Sequence, residues 1–344
     1  MKIFEFGLVL RGQYPIGDDI GARFEEVMEQ ARTADALGFD SITATSHFST
    51  PPFQSFQQIP MLARLSAEAP NVRLNAGIVL LSLYTPLEIA EQFATLDIMT
   101  GGRIIFGAAL GYRDVEFKAF GAPINRRGQR FEENLIAIKR LWTEDSVNMK
   151  AEHFELLGAS CLPKPLQYPH PPIWIGANAD VAIERTARLG DCWYINPHNR
   201  IGTIQRQMEI YRQALDKAGK PFPDELPMRR ELFVARTREE ALRICGPYIE
   251  KKYSAYHSWG QDRQMPEGDN DLGGGFEDLL GDRFLIGSPD EVAEQILGLQ
   301  ESIGINHLIV SIEWGGMPHG LILETLHLIA EEVMPKVRKS LKAS

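Results

Sequence analysis

The chain has 344 residues, 44% of them hydrophobic and 24% charged, with a formal net charge of -10 at neutral pH. That composition supplies a large apolar core, and the acidic balance argues against nucleic acid or an anionic membrane as the main partner, since both need a basic surface. No apolar run approaches the roughly 18 residues of a membrane helix, and three scattered cysteines, Cys161, Cys192 and Cys245, form no CxxC pair; a cytoplasmic protein with reduced thiols is expected.

Short apolar runs predict eight strands, over residues 3–10, 41–44, 72–80, 104–109, 173–175, 192–195, 228–234 and 307–312. Helical spacing of apolar residues marks 24–37, 87–99, 131–142, 181–189, 204–218 and 292–303 between them. Ala36-Leu-Gly-Phe-Asp and Ala187-Arg-Leu-Gly-Asp read as helix ends with a C′ glycine, and Ser288-Pro-Asp-Glu reads as a capping box. The rhythm predicts a single α/β domain, a (β/α)8 TIM barrel over residues 1–344 with insertions after strands four and seven. Residues 146–172 read as the first insertion, a hairpin and connection. Residues 254–283, polar and carrying Gly273-Gly-Gly, read as the second, a lid without periodicity.

In such a barrel, functional atoms hang from the carboxyl ends of the strands. That rule selects Arg11, His47 with Phe48, Gly77 to Leu81, Leu110 to Arg113, Gly176 to Ala179, Asn196 to His198, and Glu313 with Trp314. Few carboxylates appear, so the mouth suits a flat, mostly apolar ring system rather than a sugar or a metal. His47 reads either as an acid–base or hydrogen-bonding group or as a loop residue that only packs. Gly176-Ala-Asn-Ala-Asp opens a helix after strand five; its free amides suit a phosphate, and a tight turn explains the small residues equally well. Walker A, GxGxxG, HExxH and GxSxG signatures are all missing, and no Cys/His cluster points to a metal.

Several blocks in order resemble the bacterial luciferase-like, flavin-dependent monooxygenases. They are Leu37-Gly-Phe-Asp-Ser, Pro86-Leu-Glu-Ile-Ala-Glu-Gln-Phe-Ala-Thr-Leu-Asp, Gly101-Gly-Arg-Ile-Ile-Phe-Gly, Gly111-Tyr-Arg-Asp-Val-Glu-Phe, Arg130-Phe-Glu-Glu-Asn-Leu, Pro172-Ile-Trp-Ile-Gly-Ala and Phe284-Leu-Ile-Gly-Ser-Pro-Asp-Glu. The resemblance implies reduced FMN lying across the barrel mouth. Gly77 and Ile78 would be joined by a non-proline cis peptide beneath the ring. Ala109, Leu110, Gly111 and Tyr112 would flank the ring, and Gly176, Ala177, Asn178 and Ala179 would hold the phosphate. His47 would be the catalytic group. Arg11, Phe48, Arg113, Glu313 and Trp314 are the expected substrate contacts, although Arg11 and Arg113 read equally as rim ion-pair residues.

Thr45-Ser46-His47 stands where the luciferases carry Glu-His-His, and Leu110 stands in place of a phosphate-binding arginine. Light emission from a long aldehyde is therefore not expected, and the chain looks closer to the alkanal or limonene monooxygenase-like members. The resemblance implies O2, a small and mostly apolar organic substrate, a separate NAD(P)H:flavin reductase and a homodimer. Two alternatives keep the barrel: hydride transfer with the deazaflavin F420, or a non-catalytic FMN-binding flavoprotein.

Overall fold

The computed structural model describes residues 3–343. Eight parallel strands close a barrel in chain order: Glu5–Leu10, Ser41–Ala44, Arg73–Ala76, Ile104–Ala109, Ile173–Ala177, Cys192–Ile195, Pro227–Val234 and His307–Ser311. The last pairs with the first in the register Glu5↔His307, which closes the ring. Residues such as Phe106, Trp193 and Leu308 are fully buried, as expected where helices cover every strand on its outer side.

The third predicted strand, 72–80, is interrupted. Arg73–Ala76 pairs with its neighbours, the Gly77–Ile78 peptide is cis, and Val79–Leu80 resumes pairing against Ala108 and Ala109. Gly107 on the facing strand lets this happen: a Cβ there would lie 2.1 Å from the carbonyl oxygen of Ala76.

Helices Ile20–Ala36, Pro86–Met99, Arg127–Thr143, Asp180–Leu189, Ile201–Lys217 and Pro289–Ile303 match the predicted periodic segments. Gly38 has φ +78°, the left-handed C′ glycine that was predicted. Gly190 does not take that role. Its φ is -87°, and it is small because a Cβ would come within 3.0 Å of Ile175. Ser288 and Glu291 form the full capping box.

The insertion after strand four contains the antiparallel hairpin Val147–Lys150 with Glu155–Ala159. The insertion after strand seven differs from the expected aperiodic loop. Helix Arg238–Ser258 runs into it despite Pro247, a 3-10 turn Gln261–Gln264 and helix Phe276–Leu280 follow, and Phe284–Gly287 pairs with Glu231–Val234. Its buried apolar residues, Met265, Leu272 and Leu279, stand singly in polar and glycine-rich sequence, too sparse to mark a helix or a strand.

The amino end of the barrel is plugged by polar contacts. His307 meets Ser41 Oγ at 2.8 Å and Glu225 at 2.9 Å, and Arg73 donates to both Glu5 and Glu225. The guanidinium of Arg73 fills the place between these carboxylates. The open end of the barrel lies at the opposite, carboxyl side of the strands. Among the described residues no helix is long and apolar enough to cross a membrane.

Candidate active site

A cavity of about 700 Å³ occupies the carboxyl end of the barrel. Its wall is assembled from the segments that follow strands two to six, from Arg229 inside strand seven, and from Tyr256, Gln261 and Gln264 of the second insertion. Eleven residues expected to act on a cofactor or in catalysis meet in it: His47, Gly77, Ile78, Ala109, Leu110, Gly111, Tyr112, Gly176, Ala177, Asn178 and Ala179.

Gly77 is glycine because space is absent: a Cβ would stand 2.5 Å from Thr43 Cγ2 and 3.2 Å from the Tyr194 ring. Ile78, one residue on, lines the cavity, and its side chain lies 3.7 Å from where a Cβ on Gly176 would stand, so the two form an apolar ledge. Beyond the ledge, Ala179 is the N-cap of helix Asp180–Leu189, in extended backbone geometry and with no side chain capping the first turn. The carbonyl of Asn178 is held by Gln207 at 2.6 Å, which fixes the turn. Open amides on a fixed turn favour an anion. Arg127 and Arg185, which the sequence reading did not select, also line the cavity. Arg185 is held by Glu132 at 2.8 Å, and Arg127 reaches Gln264 of the insertion at 2.8 Å.

His47 sits in an aromatic cage, with ring centroids of Trp259, Tyr112 and Tyr256 at 5.7, 6.1 and 6.3 Å. Its Nδ1 lies 3.1 Å from Glu116 Oε1, an oxygen that also accepts from the Phe48 amide at 3.0 Å and from Arg113 at 3.3 Å. Burial opposes the charge on Glu116, but the bond from His47, the Phe48 amide and the Arg113 charge outweigh it and hold its pKa below the usual carboxylate value. Glu116 was also missed by the sequence reading. It lies 69 residues from His47, in the short helix Asp114–Ala119, and nothing local announces that it turns back over the mouth.

The five expected substrate contacts are not on the cavity wall. Phe48 packs on Phe120, with centroids 4.7 Å apart, and on Tyr84. Arg113 donates to the carbonyls of Phe48 and Ser49 and lies 4.3 Å over the Trp259 ring, so it pins the loop after strand two to the insertion. Arg11 and Trp314 point into a buried polar network behind the cavity, to which Glu313 offers its backbone carbonyl. Arg11 donates to Tyr256 Oη at 2.9 Å and to Glu231, Trp314 donates its indole N–H to Glu231 at 2.7 Å, and Lys252 bonds the same carboxylate. Burial opposes the Glu231 charge, yet Lys252, Arg11 and Arg229 keep it ionised with its pKa far below the ordinary value. Glu313 goes the other way: burial outweighs the influence of Tyr14 and Arg11 and raises its pKa.

A parallel barrel with an apolar ledge, an anion-favouring turn and a caged histidine around one cavity defines a cofactor-dependent α/β-barrel enzyme. Comparison with known proteins agrees. Residues 4–307 match the family described as luciferase-like monooxygenase. An FMNH2-dependent dimethylsulfone monooxygenase of Pseudomonas putida is 31% identical over 271 residues, 74% of this chain and 72% of that protein. An F420-dependent glucose-6-phosphate dehydrogenase of Amycolatopsis mediterranei is 27% identical over 332 residues, 91% of this chain and 94% of the relative. Among solved structures, the monooxygenase RslO1 of Streptomyces bottropensis superimposes with a TM-score of 0.84 at 27% identity, covering 96% of this chain and 99% of that one. The chain belongs to the luciferase-like monooxygenase family and is a flavin-dependent oxidoreductase.

Proposed function

We propose that this protein is the oxygenase of a two-component system: it takes up reduced FMN from a separate reductase and uses O2 to oxygenate a small organic molecule. One observation carries the reading. The ledge at Gly77–Ile78, the segment 109–112, the uncapped turn 176–179 and His47 all face the same cavity. FMNH2-dependent relatives support the choice of cofactor.

The residues present fit FMN. The ledge offers a face built without side chains at 77 and 176, with Ile78 and Leu110 beside it. Asn196 Nδ2 is buried, lacks a protein partner, and belongs to a residue that lines the cavity. The amides at the start of helix Asp180–Leu189, with Arg127 and Arg185, would hold the phosphate. When bound, the reduced flavin supplies the electrons that activate O2.

The chain's own groups do the rest. Glu116, accepting from Nδ1–H of His47, fixes the tautomer and leaves Nε2 as the ring nitrogen available to substrate; there it takes or returns a proton. Ile78, Leu80 and Ile124 supply apolar wall, and the segment from Tyr256 to Gln264 covers the mouth as a lid, so that water is excluded while oxygen chemistry proceeds.

The test is anaerobic titration of the protein with FMNH2 and, separately, with reduced F420. Binding of FMNH2 at least tenfold tighter, followed by substrate-dependent O2 uptake, is expected. Preferential F420 binding, or FMN binding with no oxygenation of any probe, would overturn the assignment.

A further inference from the structure

The sulfur of Met265 is bonded from two sides. Asn178 Nδ2 and Gln261 Nε2 each donate to its Sδ at 3.7 Å, and among the described residues no other methionine sulfur receives a hydrogen bond. The first donor belongs to the turn after strand five, which Gln207 fixes through the Asn178 carbonyl. The second belongs to the 3-10 turn Gln261–Gln264 of the insertion. Both donor residues line the cavity. Met265 thus ties the segment covering the mouth to the proposed phosphate turn, and it does so through a thioether, a weak acceptor.

The same two donors suit an oxidised sulfur better. A sulfoxide oxygen is polar and accepts strongly where the thioether does not. An amide donating to such an oxygen at ordinary length and a bent angle stands about 3.8 Å from the sulfur, close to the 3.7 Å found on both sides. The oxidised side chain therefore fits without moving either donor. An oxidant is at hand as well. When substrate is missing, two electrons from the reduced cofactor and two protons turn O2 into hydrogen peroxide. The peroxide passes one oxygen atom to the thioether, which gives up two electrons and becomes the sulfoxide; the other oxygen leaves as water.

Resting on the FMN reading above for its source of peroxide, we infer that Met265 is an oxidation site that senses turnover without substrate. Its sulfoxide oxygen accepts from Asn178 and Gln261 and fastens the covering segment onto the phosphate turn. A methionine sulfoxide reductase reverses the change.

The test follows each methionine by peptide mass spectrometry. With reagent hydrogen peroxide, Met265 is oxidised roughly tenfold faster than Met61, its match in exposure at 7% against 9%. With FMNH2, O2 and catalase but no substrate, Met265 is oxidised before Met99, which is 50% exposed and reports peroxide in bulk solution. The fastening is read by trypsin cleavage after Arg263, an exposed residue of the 3-10 turn. Oxidation slows that cleavage by roughly threefold to tenfold, the scale of one strengthened hydrogen bond, and sulfoxide reductase with dithiothreitol restores it. In Met265→Leu the cleavage rate does not respond to peroxide.

Equal oxidation of Met265 and Met61 overturns the inference. So does Met99 reacting first during turnover, or catalase protecting both alike, because the peroxide would then act from solution. Cleavage that is unchanged or faster after oxidation refutes the fastening. Failure to bind FMNH2 overturns the cofactor reading instead; the reagent-peroxide and trypsin measurements need no flavin and still decide on Met265.

Discussion

The Nδ1 atom of His47 stands 3.1 Å from Oε1 of Glu116, a carboxylate with no solvent exposure. This pairing makes Glu116 a positioning residue for the histidine. Glu116→Gln is expected to lower turnover by roughly tenfold to a hundredfold, part of the 10²–10⁴ that a placed acid–base group supplies. FMN affinity and melting temperature should stay near wild type, and Glu116→Asp should recover part of the rate. Stopped-flow turnover with FMN titration checks this; equal losses of rate and of flavin binding would indicate a merely structural carboxylate.

Ala179 allows fold and ligand to be separated. Aspartate at this N-cap would accept from first-turn amides and stabilise helix Asp180–Leu189 by about 1 kcal/mol, while placing a negative charge where the phosphate is proposed to sit. Ala179→Asp should therefore raise or preserve thermal stability and weaken FMN binding by tenfold or more. Riboflavin, which has no phosphate, should bind both proteins alike.

Trp259 joins the insertion to the loop after strand two: its indole N–H donates to the Pro51 carbonyl at 3.0 Å, Arg113 lies over its ring, and Tyr256 stacks on it at 5.1 Å. Trp259→Ala removes one hydrogen bond, one cation–π contact and the stack on Tyr256, together worth about 2–3 kcal/mol. KM for substrate should rise by up to roughly tenfold. A larger share of the O2 consumed should appear as hydrogen peroxide, measured with catalase.

Glu225 predicts an acid limb in stability. Burial opposes its charge, but hydrogen bonds from His307 and Arg73 hold its pKa at about 2 against an ordinary 4.5. Because the folded value is the lower one, the stabilisation is complete above pH 4.5 and is lost as pH falls toward 2. A shift of that size corresponds to about 3 kcal/mol. Glu225→Gln should lose that amount at neutral pH and flatten the slope between those values in urea melts.

Gly107 tests the barrel itself. With a Cβ 2.1 Å from a backbone oxygen that cannot swing aside, Gly107→Ala should cost about 3 kcal/mol or more, seen as a lowered urea midpoint.

Much of the architecture was legible because βα repetition writes itself in apolar periodicity: all eight barrel strands and six helices stand within a few residues of their predicted places. The cofactor-side residues were legible because strand ends in a barrel converge, and position alone brings Gly77, Gly111 and Gly176 together. Side-chain direction was not legible. Arg11, Glu313 and Trp314 do follow strand ends, but Glu231 in mid-strand draws two of them into the network behind the cavity, and its pull depends on Lys252 from a distant helix. Glu116, Arg127 and Arg185 were missed for the same reason: each acts across tens of residues, with no local pattern to betray it. The order in segment 254–283 was hidden because its burial is tertiary rather than periodic.

The crowding of Arg11, Lys252 and Trp314 onto Glu231 makes the barrel mouth asymmetric in what it tolerates. Replacing Glu231 strands two buried cations, and replacing Trp314 leaves a buried carboxylate oxygen short of a donor, so that flank resists change. The opposite flank, around Leu80, Leu110 and Ile124, is held by interchangeable hydrocarbon contacts. New substrate preferences in homologues and in laboratory libraries should accordingly arise there, while the ionic flank stays frozen.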